Sequence, residues 1–194
     1  YYTLASRLTG TKFSQTFSDA YEASTSNHVW DSMEGWGTNY ATNTSYMFKR
    51  APSFADVVTW RGTGAYHEVK HNLKAIPEFI LLKTRNSYRN WMAFLNMNQS
   101  TYTYSFFTNQ SMSTQSYGSG YKMHAAPDSE KLYWPDYSFV NGSNDEYIAY
   151  LFATLPGISK VGSYNGNGGT QDIDCGFTNG ARFIMIRRTN AGGD

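Results

Sequence analysis

The sequence predicts an all-β fold, built from tandem antiparallel β-sandwich or jelly-roll-like units. Three observations lead there: composition, a period-two alternation broken by turn residues, and an internal repeat of 104 residues. Aromatic residues make up 17% of the 194-residue chain, with 16 Tyr, and charged residues only 16%. Soluble proteins carry about 25% charged residues. Ser, Thr, Asn and Gly fill the difference, and the abundant Tyr, Phe, Thr and Val are strand formers.

Taken in order, residues 1–45 read as the end of a preceding unit or as an irregular N-terminal layer, with a strand at 29–33. Residues 46–149 read as the first repeat. It opens with a three-stranded meander at 57–60, 67–71 and 78–83, with Pro77 at a strand entry, where a missing N–H does least harm. The middle segment, 91–143, is aromatic and polar. TYTYSFFTNQS from Thr101 alternates, WPDYSFV follows from Trp134, NGSND makes a turn, and YIAYLF from Tyr147 reads as a buried strand. Residues 150–194 read as the truncated start of a second repeat. Strands are expected at 161–164, 172–175 and 181–187, with turns at Asn165-Gly166-Asn167-Gly168 and Thr178-Asn179-Gly180. Seven or eight short strands per 104 residues fit a sandwich or jelly roll.

The repeat is read by laying Tyr46 over Tyr150 without a gap. Phe48 then falls on Phe152, Pro52 on Pro156, Val57 on Val161, and Trp60 on Tyr164. Gly62 and Gly64 fall on Gly166 and Gly168, Val69 on Ile173, Leu73 on Phe177, and FILLKTRN from Phe79 on FIMIRRTN from Phe183. Glycines, aromatics and apolar positions persist, which are structural requirements. The Gly-rich GNGG becomes GTGA in the first copy, and Asp172 and Asp174 become Glu68 and Lys70. A turn therefore accounts for this stretch better than a phosphate loop or metal site. A Walker loop also needs a Gly-Lys-Ser/Thr ending and a following helix.

Other chemistry finds little footing. The net charge of +1, with no basic stripe, gives no general attraction to nucleic acid. No apolar run approaches the roughly 18 residues of a membrane helix, so no membrane insertion is expected. The chain opens on Tyr1 with no initiator Met or signal-like start, and reads as processed or as part of a longer chain. Cys175 is the sole cysteine, which excludes an intrachain disulfide and fits a small buried apolar residue. His67 and His71 lie four apart on a strand, about 13 Å from each other, too far for one metal. Neither a metal nor a cofactor is expected. Asp128, Glu130, Asp136, Asp145 and Glu146 could supply a glycosidase pair, but none sits in a motif. No catalytic residue is assigned, and the chain is expected not to be an enzyme.

The aromatics of the middle segment are the candidate contacts: Tyr102, Tyr104, Trp134 and Tyr137, with Tyr117 and Tyr121 nearby. Such residues bring a rigid apolar face with a polar tip. They can fill a core, seal a subunit contact in a homo-oligomer, or stack on a glycan.

The runs FKRAPSFADVVTWRGTG, VKHNL and IPEFILLKTRN, the closing YIAYLFA, and GISKVGSYNGNGGTQDIDCGFTNGARFIMIRRTN resemble a repeated β module of tailed-phage virion proteins. The module is common in marine and cyanobacterial phages. Its members are labelled virion structural protein, tail fibre protein or domain of unknown function, and some are likened to concanavalin-like lectin sandwiches. The resemblance covers residues 46–194 and is weak before Tyr46. In that family the second RTN-like strand runs on into Asp-Trp and a further aromatic strand, so the resemblance implies that part of the second unit lies outside this sequence. It implies a non-enzymatic structural protein of a tail fibre, spike or capsid appendage, located in the virion. Its partners would be other virion proteins, further copies of itself in a homo-oligomer, with a trimer favoured, and a host surface glycan. The alternatives are a lectin-like receptor-binding module and a polysaccharide-degrading tailspike.

Overall fold

The computed structural model describes residues 3–32, 35–37, 44–95, 104–107 and 123–186. It is mostly strand, in antiparallel sheets. An N-terminal layer holds β1 (Thr3–Ala5), β2 (Lys12–Gln15) and β3 (Ala23–Ser24) in one sheet, then a hairpin of β4 (Val29–Ser32) and β5 (Gly35–Gly37). The strand expected around Val29 is thus present. Next come β6 (Ala55–Arg61), β7 (His67–Lys70) and β8 (Phe79–Thr84), the three strands read from the first copy of the meander. They are followed by β9 (Met92–Leu95), β10 (Tyr104–Phe107), β11 (Lys131–Trp134), a single helical turn α1 (Ser138–Asn141) and β12 (Glu146–Phe152).

The first copy is not a simple meander. The main sheet is five-stranded, in the order β10-β9-β8-β12-β6, while β7 leaves it to pair with β11. Its centre is β12, which reaches back along the chain to pair with β6 on one side and β8 on the other. Tyr147, Ala149 and Leu151 project to one face of β12, Ile148 and Tyr150 to the other, and all five are buried. A strand buried on both faces reads as a continuous apolar run, which is what YIAYLF is.

On the first face, Trp60 stacks on Tyr147 at 5.3 Å and on Trp134 at 5.5 Å, and Phe94 meets Trp134 at 5.3 Å. Trp134 comes from β11, so the β7–β11 ribbon closes this side of the core. The second face is covered partly by the N-terminal layer. Lys83 is fully buried there, its Nζ donating to the carbonyl oxygens of Asp19 at 2.9 Å and Arg89 at 2.6 Å. Glu22, also buried, pairs with Arg85 at 3.0 Å, and Trp91 Nε1 donates to Gln15 O at 2.7 Å.

Gly62 and Gly64 have steric causes. A Cβ on Gly62 would lie 2.0 Å from the Gly142 carbonyl oxygen, and Gly64 sits at φ +65°. The loop they make wraps the fully buried Asn141. Its amide donates to Thr63 Oγ1 at 3.1 Å and to Ala65 O, and its oxygen accepts from Thr63 N at 3.0 Å.

The segment expected to start a second repeat departs from expectation. After β12 and a bridge between Leu155 and Ser159, residues 160–186 form no strand; the strands expected at 161–164 and 172–175 do not pair, nor does the one expected at 181–187 over its described residues 181–186, while Arg187 lies outside the described residues. Ile184, Met185 and Ile186 are 68%, 57% and 67% exposed, whereas Ile80, Leu81 and Leu82 at the same repeat positions are 1%, 7% and 0% exposed. The cause is the topology. In the first copy β6 and β8 bond to β12 and not to each other. Among the described residues, no strand bonds to residues 160–186 as β12 bonds to β6 and β8.

Candidate functional site

The β7–β11 ribbon turns one face inward and one outward, because its sequences alternate. In HEVK and KLYW, Val69, Leu132 and Trp134 face the core and are buried. Register places Tyr133 opposite Glu68 and Lys131 opposite Lys70 on the outer side. Tyr66, at the start of β7, is 48% exposed and joins that face.

These outer side chains form two hydrogen-bonded groups, joined through the backbone N–H of Lys131. Glu68 accepts from Tyr66 Oη at 2.9 Å through Oε1 and from Lys131 Nζ at 2.7 Å through Oε2. Asp128 accepts from Tyr133 Oη at 2.5 Å and from the backbone N–H groups of Glu130 and Lys131, each at 2.7 Å. The Tyr66 ring lies 4.6 Å from the exposed His124 ring. Lys74 and Glu130 continue the patch at 3.3 Å.

The charges follow from those contacts. The Lys131 ammonium, then the Tyr66 hydroxyl, hold the Glu68 carboxyl below the usual range. The Tyr133 hydroxyl, then the Glu130 N–H, do the same for Asp128. Both carboxylates are therefore fixed as hydrogen-bond acceptors near neutral pH. A glycosidase general acid needs the reverse shift. The arrangement is a rigid face of aromatic edges between pinned charges, suited to contact with a polyol or a polar protein surface.

The residues singled out from sequence are placed as follows. Trp134 is a core residue with no exposed surface, which corrects its reading as a contact residue. It lies two residues from Leu132 on one strand, so it shares the inward face. Tyr137 is half-buried, stacks on Phe139 at 5.6 Å and precedes α1. Tyr104 begins β10, with its side chain outside the described part, and Tyr102, Tyr117 and Tyr121 lie outside the described residues. Tyr66, His124 and Tyr133 were missed. The available signal was the Tyr-x-Glu and Lys-x-Tyr alternation on two strands that turn out to pair.

The acidic residues are held by separate partners. Asp145 meets Arg89 at 3.2 Å and Ser87 Oγ at 3.3 Å, Glu146 pairs with Arg85 at 3.4 Å, and Asp136 is exposed before α1. His67 and His71 are engaged apart: His67 Nδ1 is 3.4 Å from Asn141 Oδ1, and buried His71 takes the Leu73 N–H on Nδ1 at 3.3 Å. Burial lowers the His71 pKa and favours its neutral form. Cys175 is half-buried in the unpaired C-terminal segment. Among the described residues, no cluster of three or more His, Cys, Asp or Glu could hold a metal, and no helix is long and apolar enough to cross a membrane.

Two open depressions of about 200 and 250 Å³ are lined by Arg50, Asp56 and Asn72, and by Trp60, Arg61, Arg85 and Glu146. Pockets for small ligands run to roughly 300–1,000 Å³. The first is occupied by its own ion pair: Asp56 accepts from Arg50 Nε at 2.6 Å and from the N–H groups of Val57 at 2.9 Å and Asn72 at 2.7 Å. The broad ribbon face thus remains the better candidate for recognition. No curated protein and no solved structure matches this chain. A family model does match, over residues 9–194; the chain belongs to the family of the domain of unknown function DUF7483.

Proposed function

We propose that this chain is a non-enzymatic structural protein of a tailed-phage virion, part of a tail fibre, spike or capsid appendage. The observation that carries the reading is the 104-residue repeat, with its resemblance to the repeated β module of phage virion proteins. The first copy forms a sheet with its core built on β12, as a unit meant to be strung in tandem would. In this reading each period is a sandwich or jelly-roll-like unit, residues 1–45 close a preceding one, 46–149 make a complete one and 150–194 begin the next. The work of the protein is then mechanical: units of fixed geometry assemble with other virion proteins and with copies of the chain, as a trimer. The low charge and the Tyr-, Ser-, Thr- and Asn-rich composition favour such packing.

A second reading is adhesion to a host surface glycan, favoured by the outer face of the β7–β11 ribbon. Tyr66, His124 and Tyr133 there offer aromatic surface beside the fixed acceptors Glu68 and Asp128. The test of the first reading is cryo-electron microscopy of gradient-purified particles, with peptide mass spectrometry. The chain should co-purify at a fixed copy number and account for symmetric density. Its absence from intact particles would sink the proposal. For the second, Tyr66→Ala should abolish binding on a host-glycan array while leaving the melting temperature unchanged.

A further inference from the structure

Two described segments without strand partners match complementary parts of the main sheet when the chain is laid over itself at the 104-residue shift. Shifting by the repeat distance of 104, residues 44–48 correspond to residues 148–152 of β12. Residues 159–165 correspond to β6, and residues 183–186 to the first four residues of β8. Residues 159–165 and 183–186 therefore match the two outer strands, and residues 44–48 match the central one. Both are exposed here: Met47 is 67% exposed, and Leu151 at the same repeat position 0%.

The aromatic rings already make this match. In the first copy, Phe152 of β12 is the register partner of Phe79 of β8, with ring centroids 6.0 Å apart. The corresponding residues at the chain ends are Phe48 and Phe183, and their centroids are 5.4 Å apart. Tyr46 also meets Phe183, at 5.3 Å. Phe48 and Phe152, equivalent residues, contact each other at 5.7 Å, as they would across an axis relating two like units. Phe54 lies 6.4 Å from each of them. Phe48–Phe183 is thus one of the pairs that the 104-residue shift makes equivalent to an observed sheet pair.

We infer that residues 44–48 are the central strand of a second, composite copy of the sheet, seated between residues 159–165 and 183–186 of the same chain. The pairing of β12 fixes the register. Phe48, Met47, Tyr46 and Ser45 oppose Phe183, Ile184, Met185 and Ile186 on one side. On the other side Phe48, Met47 and Tyr46 oppose Ser159, Lys160 and Val161. This strand satisfies the backbone groups of both segments at once and buries the apolar row Ile184–Ile186, which are strong reasons for it to close.

Cysteine pairs test the register. In a Cys175→Ser background, Met47→Cys/Ile184→Cys and Tyr46→Cys/Met185→Cys are made. Successive antiparallel pairs alternate between wide and close, so one of the two has the close spacing a disulfide needs. The control is Met47→Cys/Ile173→Cys, since Ile173 corresponds to Val69 of β7, outside the main sheet. The expected result is an intrachain disulfide in one register pair, formed at least about tenfold faster than in the control. Hydrogen exchange on the unmodified chain guards against misfolded variants; amides of 44–48 and 183–186 should exchange at least about tenfold slower than those of 165–169. Cross-linking no faster than in the control, disulfides found only between chains, or unprotected amides in both segments would each overturn the inference.

Discussion

Lys83 sits in the seam between the N-terminal layer and the main sheet, and its burial makes the stability of this protein rise with pH in a range where most proteins level off. The ammonium is fully buried and held by two carbonyl oxygens, with desolvation pushing its pKa down from 10.5 to about 8. A lysine whose folded pKa is depressed opposes folding wherever it is charged in both states. Below pH 8 the cost is full: 2.5 units at 1.36 kcal/mol each, about 3 kcal/mol. Between pH 8 and 10 the unfolded chain still binds the proton while the folded chain releases it, so folding becomes more favourable by about 2 kcal/mol. Above pH 10 the buried hydroxyls of Tyr147 and Tyr150, whose pKa values burial raises, reverse the trend, because the unfolded chain ionises first. Replacing Lys83 with Met removes the titration but keeps much of the volume. It leaves the Arg89 oxygen without its Lys83 donor, while the Asp19 oxygen keeps the N–H of Arg89 at 3.0 Å. The assay is urea unfolding followed by tryptophan fluorescence at pH 7, 8, 9 and 10. The parent should gain about 2 kcal/mol from pH 8 to 10 and Lys83→Met should not. Parallel curves for the two proteins would refute the claim that Lys83 is desolvated.

Two further outcomes follow from the packing. Gly62→Ala would put a methyl group 2.0 Å from the Gly142 oxygen and should lower stability by about 2 kcal/mol or more, whereas Gly166→Ala, with nothing within 4 Å, should change the melting temperature little. Trp134→Ala removes the ring stacked on Trp60 and touching Phe94, and should cost about 3–5 kcal/mol by chemical denaturation; a loss below about 1 kcal/mol would place this tryptophan outside the core.

Much of the first copy was legible because its strands carry local signals. FILLKT opens with four apolar residues and becomes β8, buried at nearly every position; HEVK alternates and becomes β7, with one face out. The regular β structure and the steric reason for Gly62 could be anticipated in kind. Pairing could not. Nothing local says that β7 leaves its neighbours for β11, some 60 residues on, or that β12 inserts between β6 and β8. The misreading of Trp134 follows from the same limit. Next to Pro135 and Asp136 it looks like a loop aromatic, and only its place on a paired strand, in phase with Leu132, turns it inward. The ribbon's outer face was illegible for the complementary reason, since Tyr66 and Tyr133 are far apart in sequence and share a face only through that pairing.

The second copy isolates what a strand signal means. FILL from Phe79 and FIMI from Phe183 have equal claims to the β state by propensity, yet one is a buried strand and the other an exposed segment that forms no strand. The difference is the neighbour: β8 bonds to β12, and residues 183–186 bond to no strand in this structure. β-Propensity measures how well a residue fits a half-buried pleated surface, so it can only be realised where such a surface exists. An exposed run such as Ile184-Met185-Ile186 is also a template for unwanted edge-to-edge association. A sequence that keeps core-grade residues there needs a matching strand to cover them, and the match lies at the other end of the chain, where Phe48 already meets Phe183. If that closure is broken by Phe48→Asp, which places a charge opposite Phe183, the chain should aggregate more readily on concentration, by light scattering, with its far-ultraviolet spectrum nearly unchanged. Unaltered solubility would mean that the exposed run is tolerated without a cover, and that the complementarity of the two ends has no consequence for the isolated chain.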